Sequence, residues 1–148
     1  MNKLLLIDIG GTNMRYATAY SDSDEISSIN KKVFNEATFY QNLEELIKEH
    51  NINTLIMSVA GPKIDNSITM TNKNFSFNQD NLKEKFKLKE CYLLNDWESI
   101  AHSYGYIKES IKIIQSGKTY NNNLLFLGPL FLYNLIYLLS LVSDVNNN

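Results

Sequence analysis

LLLIDIGGTNMRYATAY, residues 4–20, decides how the rest of the chain is read. Its first half is a short apolar run with Asp8 near its end, the pattern of a buried strand. After Gly10 and Gly11 the character alternates. Met14, Tyr16, Thr18 and Tyr20 interleave with Arg15, Ala17 and Ala19, which predicts a second strand with two distinct faces. So few residues separate the runs that they must return on each other as an antiparallel hairpin. The connection, Asp8-Ile9-Gly10-Gly11-Thr12-Asn13, then has two readings. It is an ordinary glycine-containing turn, or it is a turn whose bare backbone admits a polyphosphate, with peptide N–H groups and the Thr12 and Asn13 side chains as donors. In the second case Asp8 would orient a magnesium ion, generally through water, because magnesium keeps much of its hydration shell. The spacing is neither that of a Walker loop nor that of a G-x-G-x-x-G dinucleotide turn.

Outward from the hairpin, a polar turn at 22–24 and a third strand over 29–34 predict a three-stranded sheet. Phe39, Leu43, Leu46 and Ile47 recur at helical spacing behind Thr38 and Gln41, a T-x-x-Q capping box, so a helix is predicted to about His50. TLIMSV, residues 54–59, is a short apolar strand stopped by Gly61 and Pro62; reached across a helix, it is expected parallel to the first. Residues 68–71 are expected as another edge strand. Asn78 is placed to cap a short helix carrying Leu82 and Phe86. A strand over 91–94 and a helix over 97–104, closed by Gly105, complete the order βββαβ, an excursion, then αβα.

Composition narrows the function classes. With 148 residues, 44% of them hydrophobic, the chain suffices for one packed core. A net charge of -2 supplies no basic field for nucleic acid. Cys91 is the only cysteine, so neither an intrachain disulfide nor a thiolate cluster is available and a reducing compartment is expected. The apolar run before Asp8 is too short for a signal peptide, which points to the cytoplasm. His50 and His102 have no metal-ligand spacing with each other or with Cys91. Ser116-Gly117-Lys118-Thr119 has the tail of a Walker loop, but Lys112 stands where its first glycine belongs, so it is read as a loop.

A second chemical candidate is LLNDWESIAHSYG, residues 93–105. Asn95 and Asp96 stand where a buried strand turns into a helix. There the helix dipole favours an ionised Asp96 able to accept a proton from a substrate hydroxyl. The bland reading of Asp96 is a simple N-cap. Trp97 beside it is read as a core anchor.

Taken together, DIGGTN at 8–13, SVAGP at 58–62, MTN at 70–72 and LNDWESIA at 94–101 resemble, in order and spacing, the bacterial ATP-dependent glucokinases, over roughly the first three quarters of the chain. The resemblance implies an α/β fold: the small domain of the actin-like ATPase (ribonuclease H-like) architecture, a βββαβαβα mixed sheet with helices packed on it, over residues 1–115. It implies that Asp8, Gly10, Gly11, Thr12 and Asn13 face ATP phosphates and Mg2+, the ion at Asp8. It further implies that Asn95 and Asp96 hydrogen-bond glucose, that Asp96 is the catalytic base for phosphoryl transfer to the 6-hydroxyl, and that Thr71, Asn72 and Gly61 line the sugar side. Glucose and ATP are the implied partners in this first step of glycolysis, and the resemblance allows a homodimer for the full-length family form.

The pattern then breaks. LLFLGP, residues 124–129, resembles the first strand of the family's large domain, yet the expected Gly-Thr-Gly-Leu-Gly loop does not follow. Residues 116–148 are therefore expected to be a linker, that aborted strand and an aberrant apolar tail, in a chain truncated by a frameshift or early stop near Gly128 and Pro129 and inactive alone. The rival reading is a non-catalytic sugar- or nucleotide-binding module tethered to a membrane through 124–142, a stretch without charge that approaches the length of a bilayer span. Gly128, Pro129 and Asn134, with no flanking Lys or Arg, speak against the tether.

Overall fold

The alternation along the first twenty residues is satisfied by pairing one strand back on the other. In the computed structural model, which describes residues 2–23, 25–107 and 112, β1 (Lys3–Ile9) and β2 (Asn13–Tyr20) lie antiparallel, from Lys3 opposite Tyr20 to Ile9 opposite Met14. The Gly10 N–H donates to the Asn13 carbonyl at 3.0 Å and closes the turn. β3 (Asn30–Val33) joins antiparallel on the far side of β2, with all four residues exposed.

Leu5, Ile7 and Ile9 project from one face of β1 into a core shared with Phe39, Leu43, Leu46 and Ile47, the apolar stripe of α1 (Phe39–Glu49). That helix carries the chain back, so β4 (Thr54–Val59) lies parallel to β1. α1 stops where Asn51 takes a left-handed backbone (φ 53°) and the Ile52 N–H reaches back to the Ile47 carbonyl at 2.9 Å. Further on, Asn78 caps α2 (Gln79–Lys85) as its position predicts, Oδ1 accepting from the Asn81 N–H at 2.9 Å, and Leu82 is buried. β8 (Glu90–Asn95) then adds parallel to β4 and leads into α3 (Asp96–Ile107). The main sheet has the order β3-β2-β1-β4-β8.

Four local expectations are corrected. Residues 68–71 are not an edge strand: β6 (Ser67–Thr69) is the central strand of a separate antiparallel sheet, between β5 (Lys63–Ile64) and β7 (Ser76–Asn78). The reason is that Ile68 is fully buried and its strand is paired on both sides. The Thr38–Gln41 capping box does not form, because Thr38 already has a helical backbone and a cap needs an extended one. Its hydroxyl instead accepts from Asn42 Nδ2 at 3.3 Å, and Gln41 donates to Glu45. Gly105 does not close α3, which continues to Ile107; a glycine ends a helix by taking positive φ, and no described glycine does. Trp97 is half-buried in the first turn of α3 and is not among the residues of the core cluster formed by the described residues. The aromatic anchor is a cluster of Phe34, Phe39, Phe75 and Phe77, with ring centroids 5.0 Å apart for the Phe75–Phe77 pair.

Residues Met1–Gly105 form one compact unit. Among the described residues no helix is long and apolar enough to cross a membrane. The readings made on 116–119, 121–123, 124–142 and the break near 128–129 lie outside the described residues.

Gly61 carries the tightest steric requirement in this fold. A Cβ there would stand 2.1 Å from the Thr69 carbonyl oxygen and 3.2 Å from Ile68 Cγ2, whereas a Cβ on Gly11 would touch only Asn72 Nδ2, at an ordinary 3.5 Å. Gly61→Ala is therefore expected to cost about 1–3 kcal/mol, the range for overpacking a tight site, and Gly11→Ala to stay within about 0.5 kcal/mol. Urea unfolding of the two variants beside the parent chain measures both; equal losses would contradict the packing.

Candidate functional site

Parallel strands in register finish level with one another, and here that brings distant sequence together. Ile9, Val59 and Asn95 occupy one row across β1, β4 and β8. The connections leaving those strands share one edge of the sheet, where open α/β sheets place their ligands. Backbone hydrogen bonds tie them to each other: Ala60 N–H to the Ile9 carbonyl (3.0 Å), Thr71 N–H to the Ala60 carbonyl (3.2 Å) and Phe34 N–H to the Thr12 carbonyl (2.9 Å). The loop bearing Thr71 and Asn72 is held from its other end by Lys73, whose Nζ reaches Glu36 at 3.2 Å and sits 5.6 Å from the Phe34 ring centre. The Asn72 amide nitrogen borders the 10–13 turn at Gly11.

The two turn glycines are not demanded by the fold. Neither has positive φ, and a Cβ on either would meet nothing closer than 3.5 Å. What their bareness leaves is access to the turn's backbone from outside. Gly61 differs, since the Thr69 carbonyl occupies the space a side chain would need.

Asp8 alternates with Ile7 and Ile9 and so lies on the face of β1 away from the core. Its Oδ2 accepts from Arg15 Nη1 at 3.0 Å, the residue directly opposite in the hairpin. Both side chains are about half exposed, so the pair adds little to stability and can exchange partners. Arg15 was not singled out from the sequence, although the hairpin register implies the pairing.

Asp96 is half-buried, and its Oδ1 accepts from the Trp97 N–H at 3.0 Å. Burial pushes its pKa upward and the charge of Asp8 adds to the rise, against hydrogen bonds from the Trp97 and Asp96 backbone. The two carboxylates are thus within electrostatic reach of each other. Nor is Asp96 the helix cap. Asn95 is: its Oδ1 accepts from the Glu98 N–H at 2.6 Å, and Glu98 Oε2 accepts from the Asn95 N–H at 3.2 Å, a reciprocal capping box. Both Glu98 oxygens also take Lys63 Nζ, at 3.3 and 3.4 Å. Neither Lys63 nor the bonding of Glu98 was read from the sequence.

The remaining candidates lie elsewhere. Cys91 is buried, which raises its thiol to about 11 and leaves it a packing residue. Among the described residues no three His, Cys, Asp or Glu side chains gather as a metal cluster. A hollow of about 250 Å³ opens beside β2 and the end of α1, lined by Tyr16, Thr18, Ser27, Ser28, Asn30 and His50, and includes none of the residues above.

Comparison with known proteins decides the family: the family model for glucokinase matches residues 5–129. The chain belongs to the glucokinase family. The glucokinase of Colwellia psychrerythraea is 33% identical over 113 residues, 74% of this chain and 34% of that protein. The glucokinase of Erwinia tasmaniensis is 29% identical over 126 residues, 80% and 38%. Among solved structures, a glucokinase from an Antarctic psychrotroph superposes with a TM-score of 0.61 at 22% identity, covering 82% of this chain and 41% of that one. A Balamuthia mandrillaris glucokinase in complex with glucose gives 0.57 at 19%, covering 74% and 33%. These likenesses identify the actin-like ATPase fold. The chain spans about a third of the length of the curated relatives it matches.

Because the folded value of Asp96 lies above its ordinary 3.8, the folded chain binds that proton more tightly than the unfolded chain. The ionised carboxylate then costs stability at every pH above its folded value; the cost is relieved as pH falls through that value and is gone below the ordinary one. Asp96→Asn is expected to raise the unfolding free energy near neutral pH, by an amount that shrinks on acidification. Urea melts of both proteins across the acidic range check this, and a gain independent of pH would contradict it.

Proposed function

We propose that this chain supplies one wall of a glucokinase cleft, in which Asp96 accepts the proton of the glucose 6-hydroxyl as that oxygen attacks the γ-phosphorus of ATP. The observation that carries the reading is that the turn leaving β1, with Gly10 to Asn13, and the β8–α3 junction, with Asn95 and Asp96, open at the same end of the parallel strands. In the transfer, the new bond joins the sugar oxygen to phosphorus, the bond to the ADP oxygen breaks, and the hydroxyl proton passes to Asp96. Such a loose transfer asks mainly for alignment and charge neutralisation.

Gly10, Gly11, Thr12 and Asn13 would offer donors to the nucleotide's phosphates, and Thr71, Asn72, Asn95 and the Gly61 turn would frame the sugar. Asp8 fits a magnesium ion carried in with the nucleotide: a hard carboxylate with a loosely held partner, Arg15, and a second carboxylate nearby. Magnesium, when bound, neutralises phosphate charge. A raised Asp96 pKa suits a group that must take a proton near neutral pH and still be ionised beforehand. The setting is the cytoplasm and the pathway glycolysis.

Titrating glucose and then magnesium ATP into the 15N-labelled chain tests the assignment. Glucose is expected to shift the amides of Asn72, Asn95 and Asp96, and nucleotide those of Gly10 to Asn13. Shifts confined to other surfaces would sink it. Where turnover to glucose 6-phosphate is measured, Asp96→Asn is expected to lower kcat by about 100- to 10,000-fold, with KM changed far less. Binding without turnover would assign the non-catalytic reading.

A further inference from the structure

Asn95 reaches its place through a chain of contacts that the proposed chemistry does not use. Its carboxamide has an oxygen with two lone pairs and a nitrogen with two donors. The oxygen accepts from the Glu98 N–H at 2.6 Å, the shortest of the contacts around this helix start, while Nδ2 has no partner among the described residues. Glu98 returns the bond to the Asn95 N–H, and its carboxylate is fastened by Lys63 from β5, a strand of the small sheet 35 residues away in sequence. Lys63 and Glu98 are 28% and 34% exposed, so the pair is largely shielded from solvent and less screened than the open Asp8–Arg15 pair. The Ser99 hydroxyl adds a bond to the Asn95 carbonyl at 3.0 Å.

We propose that Glu98, anchored by Lys63, is a positioning residue: its carboxylate holds the Asn95 backbone N–H and so keeps the Asn95 carboxamide oxygen on the Glu98 N–H, with the carboxamide nitrogen turned outward. Asn95 then meets a ligand first through its two free N–H donors, with one lone pair of its oxygen already engaged. The group it best recognises is an acceptor, such as a hydroxyl or ring oxygen. The same clamp couples the small sheet to the helix start that carries Asp96. Recognition of sugar by Asn95 rests on the function proposed above, whereas the clamp itself is a property of the free chain.

Amide exchange followed by NMR on the full 148-residue chain separates the two claims. Glu98→Ala removes both the return bond and the anchor and is expected to speed exchange at the Asn95 and residue-98 amides by about fivefold, the scale of a lost cap. Glu98→Gln keeps a side chain able to accept from the Asn95 N–H and should restore much of that protection. Lys63→Met should speed exchange at the same two amides by a smaller factor, and Lys63→Arg should return it. A through-bond coupling from the Glu98 amide nitrogen to Asn95 Cγ is expected in the parent chain and weakened in Glu98→Ala. Absence of that coupling in the parent, or unchanged exchange in Glu98→Ala and Lys63→Met, overturns the clamp. Should Glu98→Ala fail to fold, the Lys63 pair and Glu98→Gln decide alone. In a parallel arm, glucose affinity should fall at least fivefold in Glu98→Ala and recover in Glu98→Gln; a parent chain that binds no glucose defeats the sugar reading while the exchange data still judge the clamp.

Discussion

The parallel register of β1, β4 and β8 is the constraint from which the site follows. Each strand ends on the same row, Ile9 beside Val59 beside Asn95, so three turns separated by 50 and 36 residues emerge along one edge. A slip of one residue in any of them would exchange its two faces. Ile7, Met57 and Leu93, all buried in one row, would then face outward, and Asp8 would enter the core. The cost of that exchange is hydrophobic and large. The placing of Asp8 and Asp96 at one end of the sheet is therefore secured by apolar residues that carry none of the chemistry.

The second layer of organisation is polar and local. The small sheet β5-β6-β7 contributes little apolar surface besides Ile68 and Phe77. Its position follows from close backbone fit at Gly61, from the Thr71–Ala60 bond and from Lys63 on Glu98. A glycine with no room for a methyl group and a lysine with a carboxylate partner stand two residues apart at the open end of the same hairpin. Between them they hold Thr71 and Asn72 on one side of the edge and Asn95 on the other.

Much of this was legible beforehand, and the omissions have physical causes. Strong period-two and period-3.6 patterns gave away β1, β2, α1, β4 and β8, because burial of one face selects residues that show in the sequence. Thr38 and Gln41 misled because residue type does not encode the backbone angle a cap requires, and Gly105 because a glycine is free to stay helical. β5 is two residues long with an exposed Ile64, too short for any period to register. The Asp8–Arg15 pairing follows from the turn length and was available to a stricter reading. Lys63 and Glu98, far apart in the chain, meet only through tertiary structure.

Along one side of the main sheet, β3 leaves its four residues open to water with Lys31 and Lys32 at its centre. Among the described residues no strand pairs with the outer side of β3, and such a border invites another strand to add on. A second molecule approaching antiparallel would bring its own lysines against these, and like charges facing across a ladder repel. Two lysines on this strand thus work against edge-to-edge joining of sheets from separate molecules.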